Sequence, residues 1–273
     1  MTRSVVETLY GIIGDEIAES SYNPEELAMI YDPIFYYGRY LNPKTREYAL
    51  HNLFSNLSKG IAYLGLGAGN TPSIIDLGCG LGMQSFIFAY LGAKVLGLDL
   101  DSRCIALCRK RKSYFEAKLG TALTADFAAV DFRHLDPRSV NGKYDGLFSM
   151  SAFAHIHPLA NTVATISSLL YENGRVFIWD QNPGYLFLNS ISKTRRSLPS
   201  PIHISSEFSK HGFKTEILQG AGSLPHQFWL PGAAGALSSA VDSAFKKSLR
   251  LSFNYLFGAS RHGQPGRTSD RRS

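Results

Sequence analysis

Cysteine is scarce in this chain of 273 residues. Cys79, Cys104 and Cys108 do not form the two spaced pairs that a structural zinc site needs, so no metal is expected. So few thiols point to a reduced, intracellular protein. Long hydrophobic runs are missing as well. The most apolar stretch, Ala233 to Phe257, is broken by Asp242, Lys246, Lys247 and Arg250, and no transmembrane segment is expected. The opening residues Met1-Thr2-Arg3-Ser4-Val5-Val6-Glu7 lack the apolar core of a signal peptide. A cytoplasmic location follows as the expectation. No internal repeat is evident.

What is present suits a globular protein. Apolar residues make up 44% of the chain, enough for a substantial core, and 12% are aromatic, which suggests an enclosed pocket. The net charge of +6 is concentrated in two places. One is the tail from Arg261 onward; the other is Arg103, Arg109-Lys110-Arg111-Lys112 and Lys118, on a predicted helix. Charge placed this way reads as a solvated helix face and a soluble tail. No stable nucleic-acid partner is expected, and the chain is expected to be a monomer or a homodimer.

Four regions can be drawn along the sequence. Residues 1–60 read as an N-terminal helical extension or lid, with Asn23 capping a helix that Pro24 enters. Within it, Tyr31 to Tyr40 is aromatic-rich and broken, a loop or short helix. Residues 61–220 alternate strand and helix signals: strands at Ser73–Leu77, Lys94–Leu98, Leu123–Val130, Tyr144–Met150 and Gly174–Trp179, with helices between them. Such alternation predicts an α/β fold, a three-layer sandwich around a mostly parallel sheet. Residues 221–260 read as a helical, substrate-side addition, because Leu237, Val241, Phe245, Leu249 and Phe253 recur every four residues. Residues 261–273 read as a flexible basic tail.

The chemistry concentrates in Ile74-Ile75-Asp76-Leu77-Gly78-Cys79-Gly80-Leu81-Gly82. Glycines after a strand let the backbone approach a ligand, and the helix that follows offers N–H groups. In a dinucleotide site those groups meet a pyrophosphate. Here Asp76 ends the strand just before the turn, where a carboxylate suits an ammonium group better than a phosphate. Asp99 ends the next strand and can accept from both hydroxyls of a ribose, with Leu100 beside it. Asp131 and Phe132 close the third strand, an acceptor and an apolar face for an adenine.

With these features in this order, the chain resembles the class I S-adenosylmethionine-dependent methyltransferases, especially the group acting on small molecules. The resemblance runs from about residue 70 to 220. It also takes in Lys143 to Met150, Ser151-Ala152-Phe153-Ala154-His155, and Leu169 to Ile178 with Asn173 where the family often has glycine. It implies a Rossmann-like fold with a seven-stranded, mostly parallel sheet whose last strand is antiparallel. It also implies S-adenosyl-L-methionine as cofactor and S-adenosyl-L-homocysteine as product, held by Asp76, Gly78, Gly80, Gly82, Asp99, Leu100, Asp131, Phe132 and Ser149. The earlier cluster Gly65-Leu66-Gly67-Ala68-Gly69 has no acidic strand end behind it and reads as a loop.

The expected reaction is methyl transfer to O, N or activated C of a small organic acceptor. His155, just beyond the fourth strand, is the candidate base. Tyr37, Arg39, His157, Asn182, Tyr185, His203 and Trp229 are the candidate substrate contacts, with His211 and Phe228 as further wall residues. Three alternatives stay open: a nicotinamide-dependent oxidoreductase, an RNA or protein methyltransferase, and a nonenzymatic cofactor-binding interaction protein.

Overall fold

The computed structural model describes residues 2–32, 34–140, 142–185, 198–224, 229–230, 232–245 and 247–261. The basic tail beyond Arg261 and Phe228 lie outside them. Four helices come first: α1 (Thr2–Glu19), α2 (Pro24–Tyr31), α3 (Tyr36–Leu41) and α4 (Arg46–Tyr63). Asn23 caps α2 with a full capping box, its side chain accepting from Glu26 N–H while Glu26 reaches back to the Asn23 N–H.

Strands and helices then alternate: β1 (Ser73–Leu77), α5 (Met83–Tyr90), β2 (Lys94–Asp99), α6 (Ser102–Leu119), β3 (Ala125–Ala129), β4 (Tyr144–Met150), α7 (Leu159–Leu169) and β5 (Leu170–Gln181). The chain continues through α8 (Pro201–Lys210), β6 (Phe213–Ala221), α9 (Gly235–Phe245) and β7 (Asn254–Arg261). One seven-stranded sheet runs in the order β3-β2-β1-β4-β5-β7-β6. The pairs from β3 across to β5 are parallel, and β7 lies antiparallel between β5 and β6. The α/β, seven-stranded expectation holds in this topology.

Two apolar cores sandwich the sheet. On one face Phe86, Phe88, Phe148 and Phe177 lie under α1, α4, α5 and α6. On the other, Phe153, Phe208 and Phe257 lie under α7 and α8. The expected boundary at residue 60 cuts through α4. A Cβ added at Gly60 would come within 2.9 Å of the Phe177 ring, so α4 belongs to the layer covering the sheet.

The C-terminal region departs most from the sequence-based expectation. The four-residue stripe does not make one helix: α9 ends at Phe245, and β7 follows. Leu237 and Phe245 are exposed, whereas Ser238 and Asp242 are buried. Asp242 tolerates burial because it accepts from the N–H groups of Ser223 and Leu224 and faces His51 Nε2 at 3.3 Å. In β7 the run Tyr255-Leu256-Phe257 is apolar on both faces: Tyr255 and Phe257 enter one core and Leu256 the other. Covering both faces removes the alternation by which a strand is read.

The charges on α6 were expected to face solvent. Several instead dock the N-terminal helices. Lys110 pairs with Glu26, Lys118 with Glu19 and Asp15, and Arg111 with Glu16. Arg111 and Glu16 are both fully buried and share two hydrogen bonds, at 2.7 and 2.9 Å.

Candidate active site

The carboxyl ends of β1, β2 and β4 frame a cleft, and β1 delivers Asp76 to it. Asp76 is buried and accepts from the Ser85 hydroxyl at 2.6 Å. Burial pushes its carboxyl up to about 7, against the pull of the Ser85 hydrogen bond and with help from nearby Asp99. The turn beyond it folds back on β2: Gly78 and Cys79 donate to the Leu98 carbonyl at 2.7 and 3.0 Å. Gly80 then donates to Asp99 Oδ2 at 2.8 Å, and Asp101 N–H donates to Oδ1 at 3.0 Å. Each Asp99 oxygen keeps a lone pair for another donor.

The first two glycines of the turn are required by close approach. Gly78 has φ +72°, and a Cβ there would meet the Ala152 methyl at 2.1 Å. Gly80 has φ +52°, and a Cβ would meet the Phe35 ring at 2.8 Å. Gly82 serves the fold instead: it caps α5 and lies against Cys108 and Phe86, away from the cleft.

Two cavities share Asp99, Gly78 and Ala152. The first, of about 280 Å³, contains Asp76 and Asp101 and is roofed from the N-terminal helices by Tyr10, Phe35 and Tyr37. The second, of about 240 Å³, contains Leu100, Asp131, Phe132 and His155. Among the described residues Asp76, Asp99 and Asp101 line the first cavity and no lysine or arginine does, although Asp101 is paired with Arg103 at 2.6 Å. That field suits a cationic ligand and opposes a pyrophosphate.

The other candidate residues separate clearly. Phe132 is buried and offers its face to the second cavity; Leu100 is exposed at its lip. Asp131 lines the same cavity, but its carboxylate is already clasped by Arg133 at 2.6 and 2.8 Å, which holds it down to about 2. Ser149 is on the central strand and donates to the Leu77 carbonyl at 2.9 Å, outside both cavities. His155 is exposed and belongs to the Asp131 cavity, not to the one holding Asp76. Its short 3-10 turn, Phe153–His155, is anchored where Ala154 N–H donates to buried Asp180. His157 is exposed and lines neither cavity.

Tyr37 does line the first cavity, yet its hydroxyl is spent on the Leu81 carbonyl and on Arg111. Arg39 is half-buried on α3 and outside both cavities. Asn182 is a loop brace: its amide donates to the carbonyls of Leu249 and Ser252 while its oxygen accepts from Gly184 N–H. Tyr185 is buried and donates to the Ser223 carbonyl. His203 is exposed on α8, in the layer that packs on β6 and β7, and His211 ends that helix. Trp229 packs on Tyr48 and His51.

Several lining residues had no sequence signal. Tyr10 sits in an apolar helical stripe that reads as core, and Gln84 and Met150 lie inside a helix and a strand. Ser151 has φ +58°, a non-glycine left-handed residue at the end of β4. Ile34 and Phe35, like Tyr37, belonged to the aromatic-rich segment Tyr31 to Tyr40.

This pair of cavities, joined at a carboxylate and lined with acid at one end, defines an α/β protein that binds S-adenosylmethionine. A family of methyltransferase domains matches residues 59–224. The chain belongs to that family: it is an S-adenosylmethionine-dependent methyltransferase. It is 26% identical over 222 residues to a ubiquinone biosynthesis O-methyltransferase of Bordetella pertussis, covering 80% of this chain and 87% of that one. A protein of the same description from Burkholderia thailandensis is 31% identical over 104 residues, 38% of this chain and 42% of the other. Among solved structures, magnesium protoporphyrin IX methyltransferase from Synechocystis PCC 6803 with bound SAH superposes with a TM-score of 0.57 at 17% identity. It covers 93% of this chain and 99% of its own. A [4+2]-cyclase superposes at 0.55 with 15% identity, covering 77% and 82%, so this fold also serves a protein named for other chemistry.

The cofactor supplies a methyl group already activated by a sulfonium. The protein's task is to bind and align it and to keep water away. No described helix is long and apolar enough to cross a membrane.

Proposed function

We propose that the chain methylates a hydroxyl oxygen, of phenolic acidity, on a small and largely apolar molecule. The observation that carries this is the wall of the first cavity beyond Asp76. Ile34, Phe35, Tyr37 and Met150 give it apolar and aromatic surface without a lysine or arginine for an acidic acceptor. Among the described residues this wall holds no histidine either. A phenol gives up its proton more easily than an alcohol, so it asks less of a wall without a histidine or lysine to act as base. The relatives named for O-methylation support the same atom.

In this reading Asp76 meets the methionyl ammonium, Asp99 the ribose, and Asp131 with Phe132 and His155 the adenine side. A free small molecule is favoured over nucleic acid because Lys110, Arg111 and Lys118 of α6 are engaged by acids of α1 and α2. The three cysteines are buried and unbridged, in keeping with a reducing, cytoplasmic setting. We also propose a monomer or homodimer.

The test is an incubation of the purified protein with S-adenosylmethionine and a panel of phenols, catechols, alcohols, carboxylates and amines, read by mass spectrometry. O-methylated phenols or catechols are expected. Turnover confined to amines, carbon acids or macromolecules overturns the proposal.

A further inference from the structure

Tyr10 is an anomaly in the first cavity. It lies on the buried side of α1 with Val6, Leu9 and Ile13, at 1% exposure. Its ring packs with those of Tyr37 at 6.1 Å and of Tyr40, edge-on, at 5.2 Å. Its hydroxyl is buried with no hydrogen-bond partner among the described residues. Buried polar groups are almost always paired, so an orphan hydroxyl on a residue that lines a ligand cavity is a place where a ligand can supply the partner. The nearby donor cannot serve: the Arg111 guanidinium is committed to Glu16, Tyr37 and the Leu81 carbonyl. Burial raises the phenol well above its ordinary range, so it stays protonated and donates.

The ligand's own charges indicate what it donates to. Asp76 and Asp99 suit the cationic end and the ribose, but they repel a carboxylate, while the Asp101 charge is already met by Arg103. With no lysine or arginine lining this cavity, a carboxylate must be met by neutral donors. The side-chain donors there include the Tyr10 hydroxyl and the Gln84 amide, whose one hydrogen-bond contact among the described residues is a long 3.8 Å approach to Met150 Sδ. We propose that Tyr10 is a cofactor-binding residue whose hydroxyl donates to the methionyl carboxylate of the bound cofactor, fastening the N-terminal helix over it.

The test pairs a residue with a ligand group. Wild type and Tyr10→Phe are titrated calorimetrically with S-adenosylhomocysteine and with its decarboxylated analogue, which keeps the ammonium. Tyr10→Phe should weaken S-adenosylhomocysteine about tenfold, as loss of one hydrogen bond to a charged acceptor does, and leave the analogue within about twofold. The ligand-free variant should melt no lower than wild type, because an unpartnered hydroxyl stabilises nothing. Unchanged affinity for S-adenosylhomocysteine, an equal loss for both ligands, or a lower melting temperature overturns the proposal. Since no acceptor enters the experiment, its outcome is independent of the identity of the methylated atom.

Discussion

Gly80 and Asp99 are joined by a 2.8 Å hydrogen bond from the glycine N–H to Oδ2, so the carboxylate at the end of β2 holds the glycine turn in shape. Asp99 thereby both shapes the cleft and stands at its centre, between the two cavities.

Asp99→Ala should therefore do more than remove a ribose contact. It also frees the N–H groups of Gly80 and Asp101. We expect cofactor affinity to fall by ~100-fold or more, two charge-assisted bonds at ~1.5–3 kcal/mol each being at stake. Asp99→Asn, which keeps one oxygen, should fall less. Calorimetry on folded variants checks both, and equal affinities for the two variants would refute the dual role.

The pH dependence of binding should report Asp76. Its folded value of about 7 is raised from 3.8, so the folded chain holds this proton more tightly than the unfolded chain does. Ligand-free stability thus falls as pH rises from about 4 to above 7, by on the order of 4 kcal/mol from this group alone. An ammonium ligand needs the ionised form. Binding should release a proton below pH 7, with affinity falling up to about tenfold per pH unit there. Calorimetry in buffers of different ionisation enthalpy measures that proton; Asp76→Asn should abolish it.

Arg111 and Glu16 tie α1 to α6 with neither side chain exposed. Removing one partner leaves an uncompensated buried charge. Glu16→Gln or Arg111→Met should each cost ~3–5 kcal/mol, while the double variant should recover part of the loss. Denaturant unfolding of the set gives the coupling. Additive losses would mean the pair acts as two independent groups.

His155 stands in the cavity of Asp131 and Phe132. His155→Ala should raise the apparent KM for the cofactor while single-turnover methyl transfer at saturating cofactor stays within about threefold. A collapse in transfer rate with unchanged cofactor binding would restore it as a base.

Legibility in the sequence followed how local each signal is. Asp76 and Asp99 could be read because each stands at the carboxyl end of a short strand, next to last in β1 and last in β2, facing a glycine turn or helix start, a pattern contained in a few residues. β7 could not, since Tyr255, Leu256 and Phe257 are covered on both faces and its two partners, β5 and β6, precede it in sequence. The polarity of α9 was inverted because Asp242 is buried by donors from residues 223 and 224 and faces His51, 191 residues away. Tyr10 was hidden by its own helix: at that spacing an aromatic in an apolar stripe reads as packing. Asn182 and Tyr185 looked like ligand contacts, but the groups they serve, the backbone at Leu249, Ser252 and Ser223, lie across the fold.

The central claim is that the cleft joined at Asp99 takes S-adenosylmethionine with its amino-acid end at Asp76. Calorimetric titration of the purified protein with S-adenosylhomocysteine and with NAD+ tests it most directly. We predict binding of S-adenosylhomocysteine that is lost in folded Asp99→Ala, and no binding of NAD+. Binding of NAD+ in place of S-adenosylhomocysteine, or S-adenosylhomocysteine binding indifferent to Asp99, would contradict it.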